Sequence, residues 1–136
     1  RDAKAAGLET FGFFMMGLPN ETEETLRKTI DFAVSLPLDM AKVSITVPLP
    51  STPLFNQWDA EGRIKTKDWT KYNLYHPARE IYDHPTCDWD TIERYFKKFY
   101  REFYFRPSYV GRRLLSDIRR GTVMADVKMA LKTKWW

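Results

Sequence analysis

The residues best placed to do chemistry stand at one abrupt junction. In FFMMGLPNETEET, residues 13–25, a wholly apolar run stops at Gly17, Leu18 and Pro19, and an acidic helix start follows at once. Gly17 has no Cβ, so backbone there can approach a flat ligand closely. The N-terminus of the following helix attracts anions. An ordinary tight strand-to-helix turn fits the same residues equally well. The Gly-Lys-Ser/Thr sequel of a phosphate loop is absent. A second junction, VPLPSTP at residues 47–53, reads either as a proline-rich strand exit or as a stiff rim whose carbonyls and apolar side chains line a pocket.

Other chemistry-bearing residues are fewer. Cys87 is the one cysteine, so the chain can form no internal disulfide and cannot build a multi-cysteine zinc or iron–sulfur site by itself. His76 and His84 lie near it, but lone His and Cys among prolines read as loop residues rather than metal ligands. The series Tyr95, Phe96, Phe99, Tyr100, Phe103, Tyr104 and Phe105 could stack on bases; at helical spacing the reading as core is favoured. No Ser-His-Asp set or paired-carboxylate signature stands out, and no catalytic residue is assigned.

The elements that must position these residues follow from pattern. Residues 1–6 read as a helix end stopped by Gly7. Residues 10–16 are apolar on both faces, as in a strand covered on both sides. Asn20 is the expected N-cap of the next helix, with Glu23 completing a capping box and Leu26, Ile30, Ala33 and Leu36 on one face. Residues 41–48 alternate: Ala41, Val43, Ile45 and Val47 on one face, Lys42, Ser44 and Thr46 on the other, towards a polar barrel lumen or towards solvent. Ser51 or Thr52 can cap a short helix. Strand, helix, strand makes a right-handed βαβ unit. Residues 65–88 form a long polar segment expected to lie over a surface. A helix from Asp90, capped with Glu93, follows; then one through Tyr109 to Ile118 closed by Gly121, a third over 123–131, and a terminal KWW.

At 43% hydrophobic and 15% aromatic over 136 residues, the chain is no disordered tail. A net charge of +4 permits an anionic partner without arguing for one, and no nucleic acid is expected. No apolar run reaches the ~18 residues of a membrane span. The single cysteine suits a reducing compartment, so a cytoplasmic location is expected.

Together, AAGLETFGFFMMGLPNETEETLRKTIDFA (5–33), VSITVPLPSTPLF (43–55), the Asp68, Trp69, Tyr72 set and FYREFYFRPSYVGRRL (99–114) resemble the C-terminal half of radical S-adenosylmethionine (SAM) enzymes. The branch resembled is the one that usually carries a cobalamin-binding domain upstream, including magnesium-protoporphyrin IX monomethyl ester oxidative cyclases and related methylases. The resemblance spans residues 3 to 116. It implies an α/β fold: residues 1–64 as the last two βα units of a partial (β/α) barrel, and 65–136 as an aromatic-rich helical extension. It implies SAM and a 4Fe-4S iron–sulfur cluster, held by a three-cysteine motif outside this chain, that cleave SAM to a 5′-deoxyadenosyl radical; cobalamin is a further candidate cofactor. Met16, Gly17 and Leu18 would flank the adenine, with Val47, Pro48 and Leu49 on the rim. Asn20 and Ser51 depart from the family, where glycine is commoner; Asn tolerates a left-handed backbone, and Ser does so less comfortably. The expectation is a fragment, inactive alone, whose partners are the missing N-terminal part and a small-molecule substrate, and whose raw strand edge drives self-association. The rival readings are an interaction module using the aromatic helices and a small basic RNA-binding domain.

Overall fold

The structure, a computed structural model, describes residues 2–120. The stop at Gly121, the helix over 123–131 and KWW lie outside the described residues. Helix α1 (Asp2–Ala5) ends at Gly7, whose φ of +78° suits glycine. Then come β1 (Phe11–Met16), α2 (Glu23–Ser35), β2 (Met40–Ile45) and α3 (Pro53–Ala60). Two short 3-10 turns, Trp69–Lys71 and Ala78–Glu80, precede α4 (Trp89–Tyr104) and α5 (Pro107–Arg120). β1 and β2 pair in parallel, from Phe11 with Met40 to Met16 with Ile45, so the expected βαβ arrangement is present.

Two helix starts differ from expectation. Thr22, not Asn20, caps α2: its side chain accepts from Thr25 N at 3.3 Å, and Thr25 Oγ1 accepts from Thr22 N at 2.9 Å. The reason is a turn, closed by Glu21 N donating to Leu18 O at 2.9 Å, that uses up Asn20 before the helix begins. Likewise Asp88, not Asp90, caps α4, accepting from Thr91 N at 2.8 Å. Thr52 caps α3 as expected, with Pro53 in the first turn.

α2 and α4 cover one face of the sheet. Leu26, Ile30 and Ala33 of α2 and Ile92, Phe99 and Phe103 of α4 are buried with Met16 and Val43. Each of these Leu, Ile, Phe, Met and Val side chains contributes about 1.5–3 kcal/mol, and Ala33 less. Arg27 of α2 grips Glu102 of α4 with two hydrogen bonds, 2.9 and 2.7 Å. That guanidinium holds the Glu102 carboxyl below its usual range.

The other face is open. Phe11, Phe13 and Met15 are 44%, 77% and 50% exposed, so the described elements cover β1 on one side, not the two expected from its apolar run. Residues 65–88 do lie over the body: Ile64 bridges Tyr82, and Ile81, Tyr82 and His84 are buried.

Candidate functional site

The two strand tips finish side by side. Thr46 N donates to Met16 O at 2.8 Å, and Thr46 Oγ1 adds a second bond to the same oxygen at 3.1 Å. Residues 17–19 and 47–49 therefore leave the sheet at one end, where α/β folds bind ligands. The six candidate residues divide by exposure. Met16 and Pro48 are fully buried, Gly17 is buried and Val47 half-buried, whereas Leu18 and Leu49 are 46% and 52% exposed. The side chains exposed at the tips are thus Leu18 and Leu49; Met16 packs into the core.

Gly17 has a φ of +76°, and a Cβ there would lie 3.3 Å from both Ile45 Cγ2 and Tyr82 Oη. Backbone conformation and close packing both demand glycine. Its amide faces inward too. The Glu21 carboxylate, 4% exposed, accepts from Gly17 N at 2.9 Å, from Leu18 N at 3.5 Å and from Thr25 Oγ1 at 2.6 Å. A protein carboxylate therefore already occupies the position in which an external anion would sit. The turn suits an uncharged, flat ligand better than a phosphate.

Segment 82–87 holds the tips from behind. Tyr82 Oη donates to Thr46 O at 2.8 Å, and Trp89 Nε1 donates to Tyr82 O at 3.0 Å. Burial pushes the Tyr82 phenol well up, so it stays a donor. His84, 9% exposed, has Nε2 2.9 Å from Leu18 O. Thr86 Oγ1 donates to Glu21 O at 2.6 Å. His84 Nδ1 accepts from Thr86 N at 3.3 Å and Cys87 N at 3.1 Å, which leaves no lone pair for a metal. Burial first, then Asp88 and the nearby glutamates, push the Cys87 thiol up, so it is a poor nucleophile. Among the described residues, no three His, Cys, Asp or Glu side chains gather as a metal site.

At the second junction Ser51 carries a φ of +67°, the strained conformation its departure from glycine raised. Lys42 is exposed and Ser44 half-buried on the open face, while Thr46 is buried at the tip. The aromatic helix serves packing: Tyr95, Phe99 and Phe103 are buried, and Tyr100 and Tyr104 reach the outer edge of β2. A hollow lined by Asp90, Glu93, Arg94, Lys97, Lys98 and Arg101 lies on the outer side of α4, and no strand-tip residue lines it. Among the described residues no helix is long and apolar enough to cross a membrane.

Sequence reasoning missed Glu21, Thr46, Tyr82 and His84 as site-forming residues. Glu21, four residues after Gly17, was legible as an acid at a helix start. Tyr82 and His84 carried no local signal, because their partners lie 36 and 66 residues away.

Comparison with known proteins adds kinship. The chain is 36% identical over 107 residues, 79% of its length, to an uncharacterised methyltransferase of Pyrococcus horikoshii. It is 27% identical over 93 residues, 68% of its length, to the bacteriochlorophyllide d C-12(1)-methyltransferase of Chlorobaculum tepidum. It is 36% identical over 74 residues, 54% of its length, to the anaerobic magnesium-protoporphyrin IX monomethyl ester cyclase of Cereibacter sphaeroides. The matches span 23%, 19% and 12% of those three proteins. No family model and no solved structure matches the chain. Its relatives are thus methyltransferases and a magnesium-protoporphyrin cyclase, the group its motifs resemble.

Proposed function

From its kinship with methyltransferases and magnesium-protoporphyrin monomethyl ester cyclases of the radical SAM group, we propose that this chain is one wall of a SAM site. It forms the last two βα units of a partial (β/α) barrel, and the adenine lies against the strand ends at Leu18 and Leu49. The observation that carries this reading is the pairing of Met16 with Ile45, which sets the two junctions at one end of a parallel sheet. The exposed apolar side chains at the tips, and the Glu21 carboxylate tying down the turn amides, suit an uncharged aromatic ring. When bound, SAM and a 4Fe-4S cluster supply the one-electron chemistry, and cobalamin is a further candidate. This chain binds and orients the nucleoside and leaves the chemistry to residues elsewhere. The open face of Phe11, Phe13 and Met15 is then the lumen side, bearing on the substrate. The isolated chain is inactive and, through the free edge of β1, self-associates; a monodisperse monomer in light scattering counts against that last point.

The test uses the full-length gene product, reconstituted anaerobically. Leu18→Asp and Leu49→Asp are each expected to weaken SAM binding and lower 5′-deoxyadenosine formation by about tenfold or more, since a carboxylate against an adenine ring is desolvated without a partner. Wild-type SAM binding untouched by both substitutions overturns the reading. The interaction-module alternative draws on the aromatic helices; a full-length protein that binds no SAM but forms a stable complex lost in Phe105→Asp, at a residue 56% exposed at the end of α4, favours it instead.

A further inference from the structure

His84 is the buried titratable group behind the strand tips. It is boxed by Trp58 and Trp89, with ring centroids at 6.2 and 6.3 Å, and by Tyr82 at 6.4 Å. Its hydrogen bonds define its protonation. Two backbone N–H groups, of Thr86 and Cys87, point at Nδ1. Backbone N–H can only donate, so Nδ1 is bare and the proton sits on Nε2, which donates it to Leu18 O at 2.9 Å. One neutral ring thus joins a turn at residues 84–87 to the turn that carries Gly17 and Leu18.

We infer that His84 is a positioning residue: its neutral Nε2–H tautomer latches the far-sequence segment 82–87 onto the Gly-Leu-Pro turn and thereby sets the placement of Leu18 in the strand-tip site. The latch rests on the SAM-site reading for its consequence in binding, though not for its existence. Leu18 contributes a half-exposed side chain, and only its backbone is tied down: by the Glu21 carboxylate at the amide, and at the carbonyl by Glu21 N from its own turn and by His84 from segment 82–87. Cut the His84 tie and Leu18 is held only by Glu21, a residue of its own turn. Protonation releases the other end of the latch: an imidazolium still donates to Leu18 O but has no acceptor for the Thr86 and Cys87 amides, so the ring is no longer fixed to the 84–87 turn. The charged and titratable groups facing the ring are Glu21 from the turn after β1, Arg63 from the segment after α3, and Tyr82 of its own segment; Cys87 meets it through its backbone amide. Asp83 is turned away to Lys65 at 2.6 Å. Burial holds the His84 imidazole below its ordinary value despite Leu18 O and Glu21. The latch is therefore whole above the ordinary histidine pKa of about 6.5 and is lost as pH falls through the lowered value.

Two substitutions separate latch from filler. His84→Asn puts an amide oxygen near the Nδ1 position, keeps the 84–87 turn and cannot reach Leu18. His84→Gln puts an amide N–H near the depth of Nε2 and keeps the donor. In the full-length protein, His84→Asn is expected to speed amide exchange across residues 17–21 by about tenfold or more and to weaken SAM binding by about tenfold, the loss of one buried hydrogen bond. His84→Gln keeps the donor to Leu18 O but not the acceptor for the Thr86 and Cys87 amides, so it is expected to match the acid form of wild type, with a loss of only about threefold in both. In wild type, exchange across 17–21 is expected to quicken on acidification before global unfolding, and His84→Gln removes that step. Equal losses in both variants, unchanged exchange in His84→Asn, or no acid step in wild type each overturn the latch. A wild-type protein that fails to bind SAM overturns the site reading alone, since exchange still decides the latch. A variant that does not fold leaves the wild-type acid step to decide.

Discussion

The two strands of one small sheet meet opposite fates. β2 is sealed. Its outer edge is capped by tyrosine hydroxyls: Tyr104 bonds Ala41 N and O at 3.0 and 2.8 Å, Tyr100 bonds Val43 N and O at 3.3 and 3.2 Å, and Tyr109 donates to Asp39 O at 2.8 Å. The match is geometric. Four residues of helix rise about 6 Å, close to two residues of strand, so tyrosines one turn apart meet alternate strand residues. β1 has no such cap. Among the described residues its other edge has no strand partner, and Phe11, Phe13 and Met15 face outward. The same kind of residue, an aromatic on a regular element, closes the sheet in one place and leaves it open in the other. An edge capped by side chains ends a sheet, whereas an edge left bare invites one more strand.

The sharpest way to break this contrast compares two phenylalanines. Phe99→Ala, at a fully buried site, is expected to cost about 3–5 kcal/mol in urea denaturation of the isolated chain. Phe13→Ala, at a site 77% exposed, is expected to cost under about 0.5 kcal/mol. Equal losses would mean that the open face is covered in solution. A finer cut removes only the hydroxyl groups. Tyr104→Phe is expected to cost about 1–3 kcal/mol, because the Ala41 N–H and C=O lose their partner, and Tyr100→Phe less, its bonds being longer. If the caps matter as edge blockers, the double substitution also raises self-association in sedimentation velocity. The smallest effect lies at the strand exit. Ser51→Gly relieves a positive φ and is expected to raise stability by about 1 kcal/mol, with no change at the core.

Much of this architecture was legible residue by residue. The apolar run 10–16 and the alternation at 41–48 located both strands, and Leu26, Ile30 and Ala33 located the buried face of α2. Thr52, Pro53 and Gly7 marked helix ends correctly. The caps at Asn20 and Asp90 were misplaced by two residues, because Ser, Thr, Asn and Asp are all competent caps and the choice among neighbours depends on the turn before them. The strand-tip junctions were legible as a pair; what held them was not. Both faces of β1 look alike in sequence, and nothing in Phe13 or Phe14 says which one meets helix α4.

By itself the amino-acid order determined the local elements, their parallel βαβ order and the two junctions with their turn residues, since periodicity, glycine, proline and capping chemistry act over a few neighbours. Tertiary structure alone decided that Tyr82 and His84 lock those junctions, that Glu21 spends its charge on the Gly17 and Leu18 amides, and that tyrosines close β2. Those contacts join groups up to 70 residues apart, and a hydrogen bond or a buried ring depends on distance in space, which local pattern does not encode.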